Sequence, residues 1–414
     1  MKTNKALWRE PKKNVFCARG KSAALTALTS LILALPNAAH AQSFFASNVT
    51  DPAAGVDRGS TSNIRKLDEP TTFLTFDTYG STEVGPNILG LGHVSPDLFL
   101  NNDQLDVVGV IAGPSDDDDL ELTAGGIGYR FSISESLLGF ANFTQSDVTL
   151  GSPETIALNI TGTLRVGALG LRHSSKRDNE AQLTSTIELI GRHSDGTLLG
   201  MPSIDEDLRL LRASVLYQQG LPNLFQRRFA AAVTKGLDAL GASEPGNPLA
   251  STPGATSDFL RASFSTEVSL PLSDMWVANA GLVGQWSGDS LPVSQRCGYG
   301  TNAYARGFDQ TYVSADQCLG SRIELAYNVQ PPSQDDKGIV FTQAYAGIDF
   351  GRFWNNTNSI LPSRADDWSS ASLGLRTIQG DYIGEISITH IFDQPTGPAP
   401  QEQTRLWIRS GIRF

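Results

Sequence analysis

FLRASFSTEVSLPL, residues 259–272, has a period of two. Leu260, Ala262, Phe264, Thr266, Val268, Leu270 and Leu272 fall on one face. Arg261, Ser263, Ser265, Glu267 and Ser269 fall on the other. Successive side chains of an extended strand point to opposite sides, so this strand is apolar on one side and charged on the other. Two architectures use such a strand. In a soluble sandwich the apolar face meets a core; in a transmembrane barrel it meets lipid, while the polar face lines a wet lumen. Segment length and number decide between them.

Sixteen such segments, about 9 to 14 residues long in most cases, follow one another from Thr71 to the C-terminus. They are predicted near 71–79, 86–99, 104–113, 121–133, 137–148, 157–173, 182–194, 208–219, 224–240, 259–272, 276–288, 321–329, 339–351, 367–378, 381–392 and 404–414. Connections after even-numbered segments are short, as in Ser134-Glu135-Ser136 or Gln379-Gly380-Asp381. Those after odd-numbered segments are mostly longer, as at 241–258 and 393–403. Short inner turns and long outer loops are the habit of outer-membrane barrels, and a sandwich has no reason to sort its loops this way. The expected fold is therefore all-β: a transmembrane antiparallel β-barrel of about 16 strands spanning 71–414.

The last segment, TRLWIRSGIRF, adds an independent signal. Phe414, Ile412, Ser410, Ile408 and Leu406 share one face, and Arg413, Gly411, Arg409, Trp407 and Arg405 share the other. An aromatic carboxylate preceded by alternating apolar residues resembles the terminal signal read by the bacterial barrel-assembly machinery. That resemblance makes the machinery an expected partner, with Phe414, Ile412 and Ile408 as its contacts.

The N-terminus carries an export address. Seven basic residues precede an apolar core from Ser22 to Leu35, and Ala39-His40-Ala41 supplies a small-x-small cleavage site. At about 14 residues the core is too short to span a membrane as a helix. Residues 1–41 read as a signal peptide and 42–70 as a flexible lead-in rich in Ser, Asp, Pro and Gly. The whole chain carries −11; loss of the leader takes the mature protein to about −17, which argues against nucleic acid as a partner. Outer-membrane lipid is the expected surroundings.

Catalytic and metal motifs find little support. The four histidines beyond the leader, His93, His173, His193 and His390, lie in separate segments without metal-ligand spacing. No Gly-x-Ser-x-Gly elbow exists, and no cofactor is implied. A Ser/His/Asp set assembled from separate strands stays open as a barrel hydrolase. The run Asp116–Asp119 reads as a solvated loop tip rather than a cation site. Trp276, Trp286, Trp354 and Trp368 lie near segment ends, where interfacial girdles form.

The longest connection follows the eleventh segment and contains AYARGFDQTYVSADQCLGSRIEL, residues 303–325. Its Arg306-Gly307-Phe308 is similar to the sixth-loop motif of two-partner secretion transporters (TpsB proteins of the ShlB/FhaC/HecB type), which usually reads Val-Arg-Gly-Phe/Tyr. Ala305 in the Val position is a departure. The family's apolar-Asp-x-Gly motif appears as Ile348-Asp349-Phe350-Gly351 in the thirteenth segment. The resemblance covers roughly 71–414. It implies a loop inserted into the lumen, with Arg306 as gating-loop residue and Asp349 and Gly351 on the wall. It also implies a secreted haemolysin- or adhesin-like polypeptide as client.

Alternation agrees on the placement, because Ile348 and Phe350 take the lipid face and leave Asp349 to the lumen. An Arg306–Asp349 pair at an effective dielectric of ~20 attracts by about 4 kcal/mol, much of it offset by desolvation. Gly307 lets the backbone turn against the wall, and Phe308 can pack there. Cys297 and Cys318 flank the loop, and a disulfide between them would contribute roughly 3 kcal/mol in the chain-entropy model. Family members carry periplasmic POTRA domains before the barrel; with about 29 residues between cleavage point and first segment, none is expected here. Passage of a client polypeptide leads. A small-solute pore, or a barrel that no longer secretes, is the alternative, and a hydrolase stands behind both.

Overall fold

A backbone group left unpaired in hydrocarbon costs several kcal/mol, so alternating strands become stable in a bilayer only when their sheet closes. The computed structural model shows that closure. It describes residues 69–414 apart from 82, 115–119, 154, 177–180, 221–225, 300–303, 310–312, 330–332, 336–337, 357–364 and 396–400. The leader, nearly all of the lead-in and the Asp116–Asp119 run lie outside the described residues.

The first eight strands are β1 (Thr71–Asp77), β2 (Ile88–Pro96), β3 (Gln104–Ala112), β4 (Leu122–Ser132), β5 (Leu137–Thr149), β6 (Thr161–Lys176), β7 (Gln182–Leu198) and β8 (Met201–Gly220). The second eight are β9 (Gln226–Gly236), β10 (Leu260–Pro271), β11 (Trp276–Ser287), β12 (Gln317–Asn328), β13 (Gly338–Trp354), β14 (Ala365–Gln379), β15 (Tyr382–Asp393) and β16 (Thr404–Arg413). Each pairs antiparallel with the next, and β16 returns to β1 in a register from Phe73↔Arg413 to Asp77↔Arg409. The fold is a closed 16-stranded antiparallel barrel.

Strand β12 shows how the two faces divide. Leu319, Ile323, Leu325 and Tyr327 point outward and are exposed, while Arg322, Glu324 and Asn328 between them are buried inside. Ile408, Ile412 and Phe414 likewise lie on the exposed outer face, with Trp407 buried within.

Three departures from the sequence-based reading bear on the site and its surroundings. Strands β7 and β8 run on past the predicted 194 and 208 and meet at a two-residue turn, Leu199-Gly200, with φ of 54° and 74°. Positive φ at both turn residues matches the twist of the flanking strands, so a predicted long loop is an extended hairpin. Strand β12 starts at Gln317, not near 321, which puts Cys318 in the wall. Trp276 and Trp286 are exposed on the outer face, but Trp368 is 1% exposed and points into the lumen. It is not a girdle residue, because it shares alternation with the buried Ser370 and Ser372.

Part of the outer half of the lumen is apolar. Val110, Ala112, Leu122, Val148, Leu164 and Ile204 face inward near the outer ends of their strands and are covered by Val84, Leu150 and Ile160 from the connecting loops. A second cluster joins Ile190, Leu208 and Leu210 to Phe259 and Leu291, again from loops. Inward-facing side chains this well buried require material over them, so the loops fold into the mouth.

The β1–β16 seam has five register pairs, against seventeen between β7 and β8, so its end bonds matter. Thr72 N–H donates to the Phe414 carbonyl at 2.8 Å, and Phe414 N–H to the Thr72 carbonyl at 2.9 Å. Deleting Phe414 removes both. The expected result is a several-fold lower yield of heat-modifiable barrel on gels of outer membranes; normal yield would show that the terminal residue plays no role in assembly.

Candidate functional site

The connection between β11 and β12 is built as a hairpin that bends into the barrel. Residues 293–295 form a 3₁₀ turn, and Cys297–Tyr299 pairs antiparallel with Val313–Ala315. Cys297 and Cys318 are joined by a disulfide with Cα atoms 6.4 Å apart, which ties the hairpin base to β12. Asp316 organises the same base: its carboxylate accepts from Leu291 N–H and from Asn356 N–H, both at 3.0 Å.

At the inner end, Ala305 to Phe308 form a turn closed by Phe308 N–H on the Ala305 carbonyl at 3.0 Å. Ala305, not Gly307, holds the left-handed conformation, with φ of 62°. A β-branched residue would be strained at that φ, so alanine suits this backbone where the family usually has valine. Gly307 serves close approach instead. A Cβ there would lie 2.7 Å from Ile391 Cγ1 and 3.1 Å from Ser370 Cβ.

Arg306 is buried and bonded through four donors. Its backbone N–H and Nε donate to Asp349 Oδ2 at 3.1 and 3.0 Å, and Nη2 to Asp349 Oδ1 at 3.3 Å. Nη1 donates to Glu324 Oε2 at 2.8 Å. The other Glu324 oxygen accepts from Arg376 Nη2 at 2.9 Å and Asn279 Nδ2 at 3.1 Å. Tyr345 lies under both cations, with Arg306 Cζ 5.4 Å and Arg376 Cζ 4.9 Å from its ring centre. Its hydroxyl donates to Glu385 at 2.5 Å.

Space for this network comes from the wall. Gly347 faces Glu324 in register, and a Cβ on it would sit 2.4 Å from Arg306 Nη2. Gly351 does the same for Trp368 four residues further along the strand, where a Cβ would meet Trp368 Cζ2 at 2.5 Å. Trp368 packs edge-on against Phe308, with ring centres 6.3 Å apart, in a buried cluster with Tyr304, Ala305, Cys318 and Ile391.

Beyond Phe308, Asp309 pairs with Arg405 of β16, and its N–H donates to Gln401 at 2.8 Å. Nearby, burial and the Asp309 charge push the Glu83 carboxyl up to about 6. The ionised form is the disfavoured one, so this neighbourhood loosens as pH rises through that value.

Arg306, Gly307, Phe308, Asp349 and Gly351 are thus brought together at one place on the lumen wall, whereas Phe414, Ile412 and Ile408 lie on the outer face. Glu324, Arg376, Tyr345 and Gly347 belong to the same constellation, and sequence reasoning missed them. The signal for Glu324 was available: it has lumen parity in the strand next to that of Asp349. One further group, His193, Asp205 and Asp207, offers ligand atoms within 4.8 Å of one another on the β7–β8 hairpin. His193 and Asp207 already pair with each other, and Asp207 pairs with Arg209.

A model of the haemolysin secretion/activation proteins ShlB/FhaC/HecB matches residues 62–377. The chain belongs to this family. It is therefore an outer-membrane β-barrel of the two-partner secretion family. The outer membrane transporter CdiB of Escherichia coli is 25% identical over 319 residues, covering 70% of this chain. The chain spans about half the length of that relative, 51%. The structure of CdiB from Escherichia coli superposes with a TM-score of 0.70 at 19% identity, over 83% of this chain and 63% of that one. CdiB from Acinetobacter baumannii gives 0.64 at 18%, over 84% and 60%. BamA from Haemophilus ducreyi gives 0.55 at 11%, over 84% and 70%. These structures share the fold.

Removing one partner of a buried ion pair costs about 3–5 kcal/mol, and here the cost should fall on the loop. Asp349→Ala and Gly347→Val are expected to raise hydrogen exchange across 304–309 by an order of magnitude or more, while strand amides stay protected. Unchanged exchange in both variants would mean that the pair does not hold the loop. Separately, denatured protein without reductant should leave Cys297 and Cys318 unalkylated.

Proposed function

We propose that the barrel passes a secreted polypeptide of the haemolysin or adhesin class through its lumen. The β11–β12 loop would act as the gate, fastened at Arg306 to Asp349 and Glu324. Family membership supports the transport reading, and the bidentate Arg306–Asp349 contact inside the lumen carries the gate assignment. Fastening the tip of a long loop through charged side chains, in a lumen that water enters once it opens, makes release local and reversible.

The apolar clusters over the outer mouth weigh against a pore that stands open to small solutes. A hydrolytic role gains little from the Ser–His contact between β2 residues. Ser95 Oγ lies 3.0 Å from His93 Nε2, but the other ring nitrogen meets the Thr72 hydroxyl at 2.9 Å rather than a carboxylate. A hydroxyl in that place does not stabilise an imidazolium as a carboxylate does.

The test is secretion of the exoprotein encoded beside the gene. Deleting the barrel should abolish its appearance in the medium. Asp349→Arg should reduce it at least about tenfold with the barrel still folded, in line with the loss of a charge-assisted contact. Unchanged secretion on deletion would overturn the transport reading. A large steady conductance in planar bilayers, indifferent to Arg306→Ala, would favour the pore.

A further inference from the structure

A second set of arginines lies in the outer half of the lumen, away from Arg306. Arg192 of β7 is 7% exposed. Its Nε and Nη2 have no hydrogen-bond acceptor among the described residues. Its register neighbours are Val166 and Leu208, so hydrocarbon flanks it on both sides. The carboxylate within electrostatic reach is Glu206. That group already accepts from Ser251 N–H at 3.2 Å and Ser251 Oγ at 2.8 Å.

Arg261 of β10 is the other cation acting on Arg192, and its Nε also has no acceptor among the described residues. Its Nη1 donates to the Gln295 carbonyl at 3.0 Å and its Nη2 to Thr234 Oγ1 at 3.3 Å. Arg212, across Thr234 in register, gives Nε to Glu188 at 2.6 Å. Three guanidiniums therefore face two carboxylates, of which Glu188 is taken up by Arg212 and Glu206 already accepts from Ser251. A buried guanidinium without an acceptor is costly, and an anion is what removes the cost.

We propose that this region of the lumen binds a small inorganic oxyanion of the phosphate class, held between Arg192 and Arg261 beneath the Leu291–Gln295 stretch of the loop. The planar fork of a guanidinium matches two oxygens of a tetrahedral anion. The apolar wall of Ile190, Leu208, Phe259 and Leu291 limits competition from water. Because Arg261 also donates to Gln295, the anion would bear on the position of the loop. The site rests on the barrel alone and stands or falls independently of secretion.

Equilibrium dialysis of radiolabelled phosphate against the purified full-length barrel, with ionic strength fixed by sodium chloride, tests it. Saturable binding of one phosphate per barrel, displaced by sulfate, is expected, with Arg192→Gln weakening it about tenfold or more. Phosphate should also raise the midpoint of heat modification in the wild type and not in the variant. No saturable binding by the wild type overturns the site, as does wild-type affinity in Arg192→Gln. If Arg192→Gln does not fold, Arg261→Gln takes its place, and undiminished binding there has the same force.

Discussion

A guanidinium placed where Arg306 sits has left bulk water, so it must be neutralised by groups already fixed in place. The wall supplies two carboxylates from neighbouring strands: Asp349 through three contacts and Glu324 through one. Glu324 in turn needs Arg376, and both cations lean on Tyr345. The glycine at 347 exists in this setting as room for a guanidinium. Remove that one requirement, and four side chains and one glycine on β12, β13 and β14 lose the reason for their positions.

Much of this was legible from the sequence because a barrel strand obeys a strict rule. Parity assigns every residue to lipid or lumen, so Phe259–Leu272 revealed the fold and Ile348-Asp349-Phe350 the direction of the key carboxylate. What stayed hidden follows from what parity omits. It does not say how far a strand extends beyond the membrane, which is why the β7–β8 hairpin read as a loop until the paired positive φ of Leu199 and Gly200 closed it. Nor does it give register, and register is what sets Glu324 opposite Gly347. For Trp368, proximity to a strand end points to the girdle, but parity puts it inside with Ser370 and Ser372.

Two kinds of fastening hold the interior, and they differ in how they can be undone. At the outer mouth, Val84, Leu150, Ile160, Phe259 and Leu291 are held by apolar burial, which is non-directional and grows with area. Deeper in, the Arg306 turn is held by charge and geometry. Exposing the first to water costs free energy in proportion to area. Exposing the second returns hydration to the same ions that gave it up, so its net cost is far below its gross attraction.

That difference bears on how the β11–β12 loop could move under the proposed gating role. Its base is fixed to β12 by the Cys297–Cys318 disulfide and to its surroundings by Asp316. The tip has no covalent tie and depends on Arg306 and on Asp309 against Arg405, with Phe308 against Trp368. A polypeptide entering the lumen brings water and polar backbone to the Arg306–Asp349–Glu324 cluster, raising the local dielectric and weakening what holds the tip. The base stays anchored through the same event, so the tip can swing away and return to the same register. A fastening made of apolar area alone would lack that reversibility, since a translocating chain offers no rehydration to offset its exposure.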